Sequence, residues 1–326
     1  MLRIIISLDK ENKKTTMKNL ARIILITFIV FPLVTKAQDT TFQIKEIAIT
    51  KLIDGTLLTP NNKTSNLVII IAGSGPTDRN GNQNFMKNNS LKKLAKGITK
   101  NGIATFRYDK RSVKLIKQGK INNSNILFDD FVTDAQAVVD YFANTETYKN
   151  IYIAGHSQGS LIGLLASNKH VAGFISLAGA GKSIDNVLLE QIEKSAPAFK
   201  EPSEKVLTSL KEGKITSDYP PVLASLFNED LQPFMINWIQ YNPEDIIAKL
   251  EIPCLIINGT KDLQVSVEEA KLLHQAAKNS TLKIIDNMNH IFFTIEGDTL
   301  ENSKSYNESS RTINPEVINA IVNFIK

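Results

Sequence analysis

Cysteine is almost absent. The 326 residues hold one, Cys254. A single thiol excludes an intrachain disulfide, so stability must come from a packed core. It lies in the apolar run Ile252-Pro-Cys-Leu-Ile-Ile-Asn258, where an unpaired cysteine packs as a small hydrophobe. Histidine is nearly as scarce: His156, His170, His274 and His290 are scattered along the chain. One cysteine and four dispersed histidines give no metal-ligand spacing, so no metal is expected. No basic stripe with interleaved aromatics is present, and nucleic acid is not expected as a partner. The formal charge of +5 does not change this, because the excess is local. Seven of the basic residues but only Asp9 and Glu11 among the acids fall in residues 1–37, and the remainder is balanced.

That basic excess has the form of an export signal. Met17-Lys-Asn-Leu-Ala-Arg22 is a positive n-region, and Met17 could be the true start. Ile23 to Val34 is an apolar h-region, short for a membrane span. Thr35-Lys36-Ala37 supplies small residues for cleavage before Gln38, and no cysteine follows to carry a lipid. The expectation is an exported protein, periplasmic or secreted, with no stable membrane span after signal cleavage.

Residues 38–326 alternate strand-like and helix-like runs. Strands are expected near 42–50, 66–72, 103–108, 150–156, 171–179, 252–258 and 281–285. Helices are expected near 90–101, 129–145, 158–168, 266–278 and 314–325. Alternation of this kind predicts an α/β fold with a mostly parallel central sheet covered by helices on both faces. Residues 182–245 break the rhythm with helical runs and carry the single tryptophan, in Phe234-Met-Ile-Asn-Trp238-Ile-Gln-Tyr241. The polar stretch Gly297 to Asn314 reads as surface loop.

The most informative segment is Ile151-Tyr-Ile-Ala-Gly-His-Ser-Gln-Gly159. An apolar β-type run ends in Gly-His-Ser-Gln-Gly and a helical run follows, the context of a nucleophile elbow. Gly155 and Gly159 remove the side chains that would clash around a strained Ser157. A serine hydroxyl needs a base and an orienting acid to become nucleophilic. With the order serine, acid, histidine, His290 follows the last strand-like run and is the expected base. His156, inside the elbow, is expected to point away from the serine. Asp262, just past the run ending at Asn258, is the expected acid, with Asp245 or Glu244 as the alternative. Backbone N–H groups must also face the developing oxyanion. Gln158, after the nucleophile, is one expected donor. Ser74, in Gly73-Ser-Gly-Pro-Thr-Asp-Arg-Asn-Gly81, is the other, with Gly75 as second choice. A dinucleotide-binding reading of that loop fails, since Asp78 occupies the third glycine position and Pro76 lacks an N–H. Arg107-Tyr-Asp-Lys-Arg111 reads as a charged, solvated salt-bridge turn that braces the fold, with a loop bordering the active-site face as the alternative.

Four segments together resemble the α/β-hydrolase superfamily, and within it the bacterial serine-aminopeptidase-like and acylglycerol-lipase-like hydrolases. They are Ile71 to Gly81, Phe106 to Arg111, Gly155 to Gly159, and Ile252 to Asp262 running on to Asn289-His290. The resemblance covers roughly residues 45–326. It departs where Ala72-Gly73 replaces a His-Gly pair and Arg111-Ser112-Val113-Lys114 replaces an Arg-Gly-x-Gly turn. It implies that 182–245 is a helical cap over the serine, with Phe234, Met235, Trp238 and Tyr241 as candidates to line a substrate cavity. The expected activity is hydrolysis of a small-molecule ester or acyl substrate through an acyl-enzyme, with no cofactor. An aminopeptidase, a thioesterase or an acyltransferase could use the same triad. An aminopeptidase would need cap acids such as Glu201, Glu204, Glu229 or Asp230 to hold an ammonium. A catalytically silent binding protein on this fold is the alternative of a different class.

Overall fold

The structure, a computed structural model, describes residues 41–121 and 126–326; the expected export segment, residues 1–37, lies outside them. Eight strands form one sheet in the order β1-β2-β4-β3-β5-β6-β7-β8. These are β1 Phe42–Ala48, β2 Asp54–Pro60, β3 Asn66–Ile71, β4 Ala104–Tyr108, β5 Asn150–His156, β6 Val171–Leu177, β7 Cys254–Gly259 and β8 Ser280–Ile285. From β4 to β8 every neighbouring pair is parallel, while β2 runs antiparallel to both β1 and β4.

The apolar runs of the central strands become intelligible in this sheet. Leu67, Ile69 and Ile71 of β3 join one core, and Val68, Ile70 and Ala72 the opposite one. Strands covered on both faces have no polar side, so their sequences show no alternation. One core lies under the helices Phe128–Asn144, Gln158–Ala166 and Val267–Ala276. The other lies under Ser90–Lys100 and Pro315–Ile325. Ser90–Lys100 buries Leu91, Leu94, Ala95 and Ile98, the i, i+3, i+4, i+7 stripe of a helix packed on a sheet. Pro315–Ile325 starts at a proline in the first turn, and the Asn314 side chain accepts the Glu316 N–H. Cys254 is buried in the first core, and burial pushes its thiol up to about 11, so it stays protonated and inert.

Between β6 and β7 the chain runs through helices Ile184–Ser195, Lys200–Lys211, Ala224–Phe227, Gln232–Ile239 and Pro243–Ile247. This segment has its own small core of Val206, Leu207, Leu210, Leu223, Phe227, Met235 and Ile239. It is seated on helix Phe128–Asn144. Trp238 stacks on Phe128 at 5.5 Å, and Phe234 meets Phe128 and Phe131 edge-on. Tyr241 Oη donates to Asp129 at 2.7 Å, and Asn237 Nδ2 donates to the same carboxylate at 3.0 Å.

Three sequence expectations need correction. Strand β2 was not expected: Asp54-Gly-Thr-Leu-Leu-Thr-Pro60 has two leucines and carries turn-forming residues at both ends. It forms because β1 and β4 offer pairing partners on either side, a long-range effect. Arg107–Arg111 is not a solvated turn. Arg107, Tyr108, Asp109 and Lys110 are buried, and Arg111 opens a helix, Arg111–Lys117. Ion pairs hold part of this segment: Arg111 binds Asp134 through two nitrogens, and Arg79 binds Asp109 at 2.9 Å. Within Gly297 to Asn314, residues Thr299–Ser305 form a helix.

The packing makes a direct prediction. Phe106 is fully buried and meets Phe142 edge-on at 4.8 Å. Phe106→Ala should cost about 3–5 kcal/mol of unfolding free energy in urea titrations. A loss below about 1 kcal/mol would mean that this site can collapse around the deletion.

Candidate active site

Strand β5 ends at His156, and the helix Gln158–Ala166 begins two residues later. Ser157 makes the turn alone, at φ 53° and ψ −122°, a region that L-residues rarely occupy. Its neighbours make that possible. A Cβ on Gly155 would lie 2.1 Å from the Gly159 carbonyl oxygen. A Cβ on Gly159 would lie 2.5 Å from Ile71 O and 2.7 Å from Ala72 O. The helix therefore touches the end of β3 backbone to backbone. Ser157 N–H donates to Leu177 O at 2.9 Å, which ties the turn to β6.

Asp262 follows β7, and its side chain is fully buried. Oδ1 accepts the N–H groups of Gln264 (2.8 Å) and Val265 (2.9 Å), and Oδ2 meets His290 Nδ1 at 2.8 Å. Since an ionised carboxylate only accepts, Nδ1 carries the proton and Nε2 is left bare. Asp245 and Glu244 lie in the short helix Pro243–Ile247 instead.

The loops that carry Asp262 and His290 are laced together. Lys261 N–H donates to Met288 O at 3.0 Å, and Asn287 N–H donates to Thr260 Oγ1 at 2.9 Å. A Cβ on Gly259 would stand 2.0 Å from Met288 O, so only glycine admits this approach. The residue before the base is buried Asn289. Its Oδ1 accepts the Phe293 N–H at 2.9 Å, and its Nδ2 donates to Asn302 Oδ1 and Ser305 Oγ. Helix Thr299–Ser305 thus supports the histidine loop, a role its polar sequence gave no sign of.

His156 does not point away from the site. Its ring packs on His290 at 4.7 Å between centroids and on Phe292 at 5.0 Å. Its Nε2 donates to the His290 carbonyl oxygen at 2.9 Å. Burial pushes its pKa down to about 3, with repulsion from a charged His290 acting the same way and the hydrogen bond opposing. It therefore stays neutral whatever His290 does. Nothing in the sequence separated this role from that of an ordinary elbow residue.

The loop after β3 lies against the elbow, since a Cβ on Gly73 would come 3.2 Å from Ser157 Cβ. Ser157 borders two cavities. A large one of about 470 Å³ is lined by Leu161, Val187, Leu188, Phe234, Met235 and Trp238, among others. A smaller polar one of about 180 Å³ is lined by His290 and His156 together with Thr77, Gln83, Asn88 and Tyr306. Ser74 and Gln158 both border the large cavity. Tyr241 does not line these cavities; its hydroxyl is spent on Asp129. Glu201, Glu204, Glu229 and Asp230 do not line them either.

His156 sets a pH dependence. Its folded pKa lies below the unfolded value, so the unfolded chain binds more protons and acid favours unfolding. Stability should fall as pH drops from about 6.5 towards 3, by up to about 1.4 kcal/mol per pH unit from this group. Urea titrations across that range should show a shallower slope in His156→Gln, and an unchanged slope would remove His156 from the account.

Comparison with known proteins agrees with this architecture. A family model described as serine aminopeptidase, S33, matches residues 87–297. The esterase EstD of Thermotoga maritima is 23% identical over 245 residues. That match covers 71% of this chain and 55% of the relative, so the chain spans about half the length of that curated protein. Among solved structures, Est1E from Butyrivibrio proteoclasticus with ferulic acid bound superposes with a TM-score of 0.55 at 18% identity, over 86% of this chain and 98% of that one. The Pyrococcus furiosus esterase Pf2001 gives 0.52 at 16% identity, over 88% and 93%. The shared sheet and the extent of the family match lead to one statement: this chain belongs to the serine aminopeptidase S33 family of the α/β-hydrolase superfamily.

Proposed function

We propose that this protein is an exported serine hydrolase that cleaves carboxylic esters through an acyl-enzyme. Ser157 Oγ attacks the ester carbonyl while His290 Nε2 takes its proton. Asp262 holds the Nδ1–H tautomer and stabilises the imidazolium. The N–H groups of Gln158 and Ser74 receive the oxyanion. His290 then returns the proton to the departing alcohol, and water releases the acid by the same steps in reverse order of partners.

The observation that carries this reading is the lining of the two cavities around Ser157. His290 borders only the small polar one, so the alcohol that it must protonate leaves on that side. The large apolar cavity is then free for the acyl group. Among the described residues no carboxylate lines either cavity, and the charged residue in the large one, Lys182, is paired with Glu190 and Glu269. An aminopeptidase must hold a substrate ammonium, and an ammonium without an anion beside it is costly to bury. An apolar acyl ester fits these walls better. EstD, the curated relative, is itself named an esterase.

The proposal includes two points of organisation. Segment 182–245 acts as a cap that shapes the acyl cavity. Residues 1–37 are an export signal removed before Gln38; N-terminal sequencing of exported material should start at Gln38, and retention of the apolar segment would refute cleavage.

A fluorophosphonate probe should label the wild type and fail on Ser157→Ala. Equal labelling of the variant, or a folded wild type that does not label, would refute an activated Ser157. Asp262→Asn should lower kcat by about 10⁴-fold through the wrong histidine tautomer. On a p-nitrophenyl ester series, Trp238→Ala should move the optimum to bulkier acyl groups; an unmoved optimum would place the acyl chain elsewhere.

A further inference from the structure

Among the described residues the Lys110 amine has no hydrogen-bonded carboxylate, and only 3% of its surface is exposed. The nearby carboxylate of Asp134 is taken by Arg111, through Nε at 2.7 Å and Nη2 at 2.8 Å. Burial pushes the Lys110 pKa down to about 7, with Asp134 acting in the opposite direction. Its side chain borders a cavity of about 390 Å³ beside Ser74, Gly75 and Gln158, and among the described residues its Nζ makes three contacts. Nζ donates to Gly73 O at 3.0 Å and to Gln158 Oε1 at 2.8 Å, and it sits 4.2 Å from the centre of the Phe131 ring. A lysine is an expensive way to fill buried space. Both of its acceptors belong to the two segments that supply N–H groups beside Ser157.

The first contact has a geometric consequence. Gly73 C=O and Ser74 N–H share one planar trans peptide, in which the two bonds point in opposite directions. Holding the oxygen fixes where the hydrogen points. The next peptide is held in the same way: Ser74 O accepts from Thr77 Oγ1 at 2.8 Å and from Gln83 Nε2 at 2.9 Å, which orients the Gly75 N–H. The second contact ties the same ammonium to the side chain of Gln158, whose own N–H opens the helix after the serine. One side chain thus links the loop after β3 to the elbow.

We propose that Lys110 is a positioning residue for the oxyanion hole, holding the Ser74 and Gln158 N–H groups in the convergent arrangement that the developing oxyanion requires. This rests on the esterase reading above. Lys110 touches no reacting atom; it acts through two donors that do. Donors aligned beforehand cost no reorganisation when charge appears, so loosening them affects the transition state more than the ground state.

The test is steady-state hydrolysis of p-nitrophenyl butyrate by wild type, Lys110→Met, Gln158→Ala and the double variant. Each is also titrated with an aliphatic trifluoromethyl ketone, which forms an oxyanion on Ser157, and with butyrate, which does not. Thermal melting checks that each variant is folded. Lys110→Met should lower kcat about 10- to 100-fold with KM within about threefold. Trifluoromethyl ketone affinity should fall in parallel, and butyrate inhibition should stay put. Gln158→Ala keeps its backbone N–H and should show a smaller loss of the same kind. The double variant should resemble Lys110→Met alone, because the two residues act as one unit. A folded Lys110→Met with wild-type kcat, or with a changed KM only, overturns the inference while leaving the esterase reading intact. If Lys110→Met does not fold, Gln158→Ala decides: a kcat loss matched by weaker ketone binding supports the role, and wild-type values for both overturn it. A wild type that neither hydrolyses the ester nor labels at Ser157 overturns the parent reading and this one with it.

Discussion

The contact on which the site depends is between two pieces of backbone. Gly159 sits against the carbonyls of Ile71 and Ala72, and Gly155 against Gly159, with no room for a methyl group at either place. This approach seats helix Gln158–Ala166 on the end of β3 and forces Ser157 into its positive φ. It also brings the loop at Gly73 beside the serine, so the proposed nucleophile and oxyanion donors are set by one packing event. Strain at a single residue, of order 1–3 kcal/mol, persists because the surrounding backbone over-determines it. The fully buried apolar strands on either side supply that rigidity.

Asp262 and His290 are oriented by a different kind of force. They stand on loops after β7 and β8; the second core flanks His290 through Met288, Ile291 and Phe292, and hydrogen bonds set the direction of both side chains. Two backbone N–H groups hold one oxygen of Asp262, and the loops exchange hydrogen bonds through Lys261, Met288, Thr260 and Asn287. Asn289 carries the brace on to Asn302 and Ser305. Buried polar networks of this sort are unforgiving, since each unsatisfied member costs about 1–3 kcal/mol. The proposed base is therefore presented at one position before any substrate arrives.

Much of this was legible in the sequence because it is local. Gly155-His-Ser-Gln-Gly159 announces its own turn, and the apolar runs at 66–71, 150–156 and 254–259 announce strands covered on both faces. Asp262 and His290 could be named because they stand just beyond such runs. What stayed hidden was set by distant partners. Strand β2 exists through its neighbours rather than its composition. Lys110 looked like surface because lysine mostly is, and only the tertiary structure places it under Phe131 and behind Gly73. His156 looked idle for the same reason. The brace from helix Thr299–Ser305 has no apolar signature to find, because it works through asparagine and serine side chains.

The seat of segment 182–245 has a consequence for how this protein could diversify. Phe234 and Trp238 do two jobs: they pack on helix Phe128–Asn144, edge-on and stacked respectively, and they wall the large cavity. Replacing either to admit a different ligand also weakens the joint that keeps the whole segment in place. Val187 and Leu188, which line the cavity from the helix Ile184–Ser195, stand outside that ring stack. Divergence in selectivity has its freest path along that helix, where change in shape carries the least risk of unseating what surrounds it.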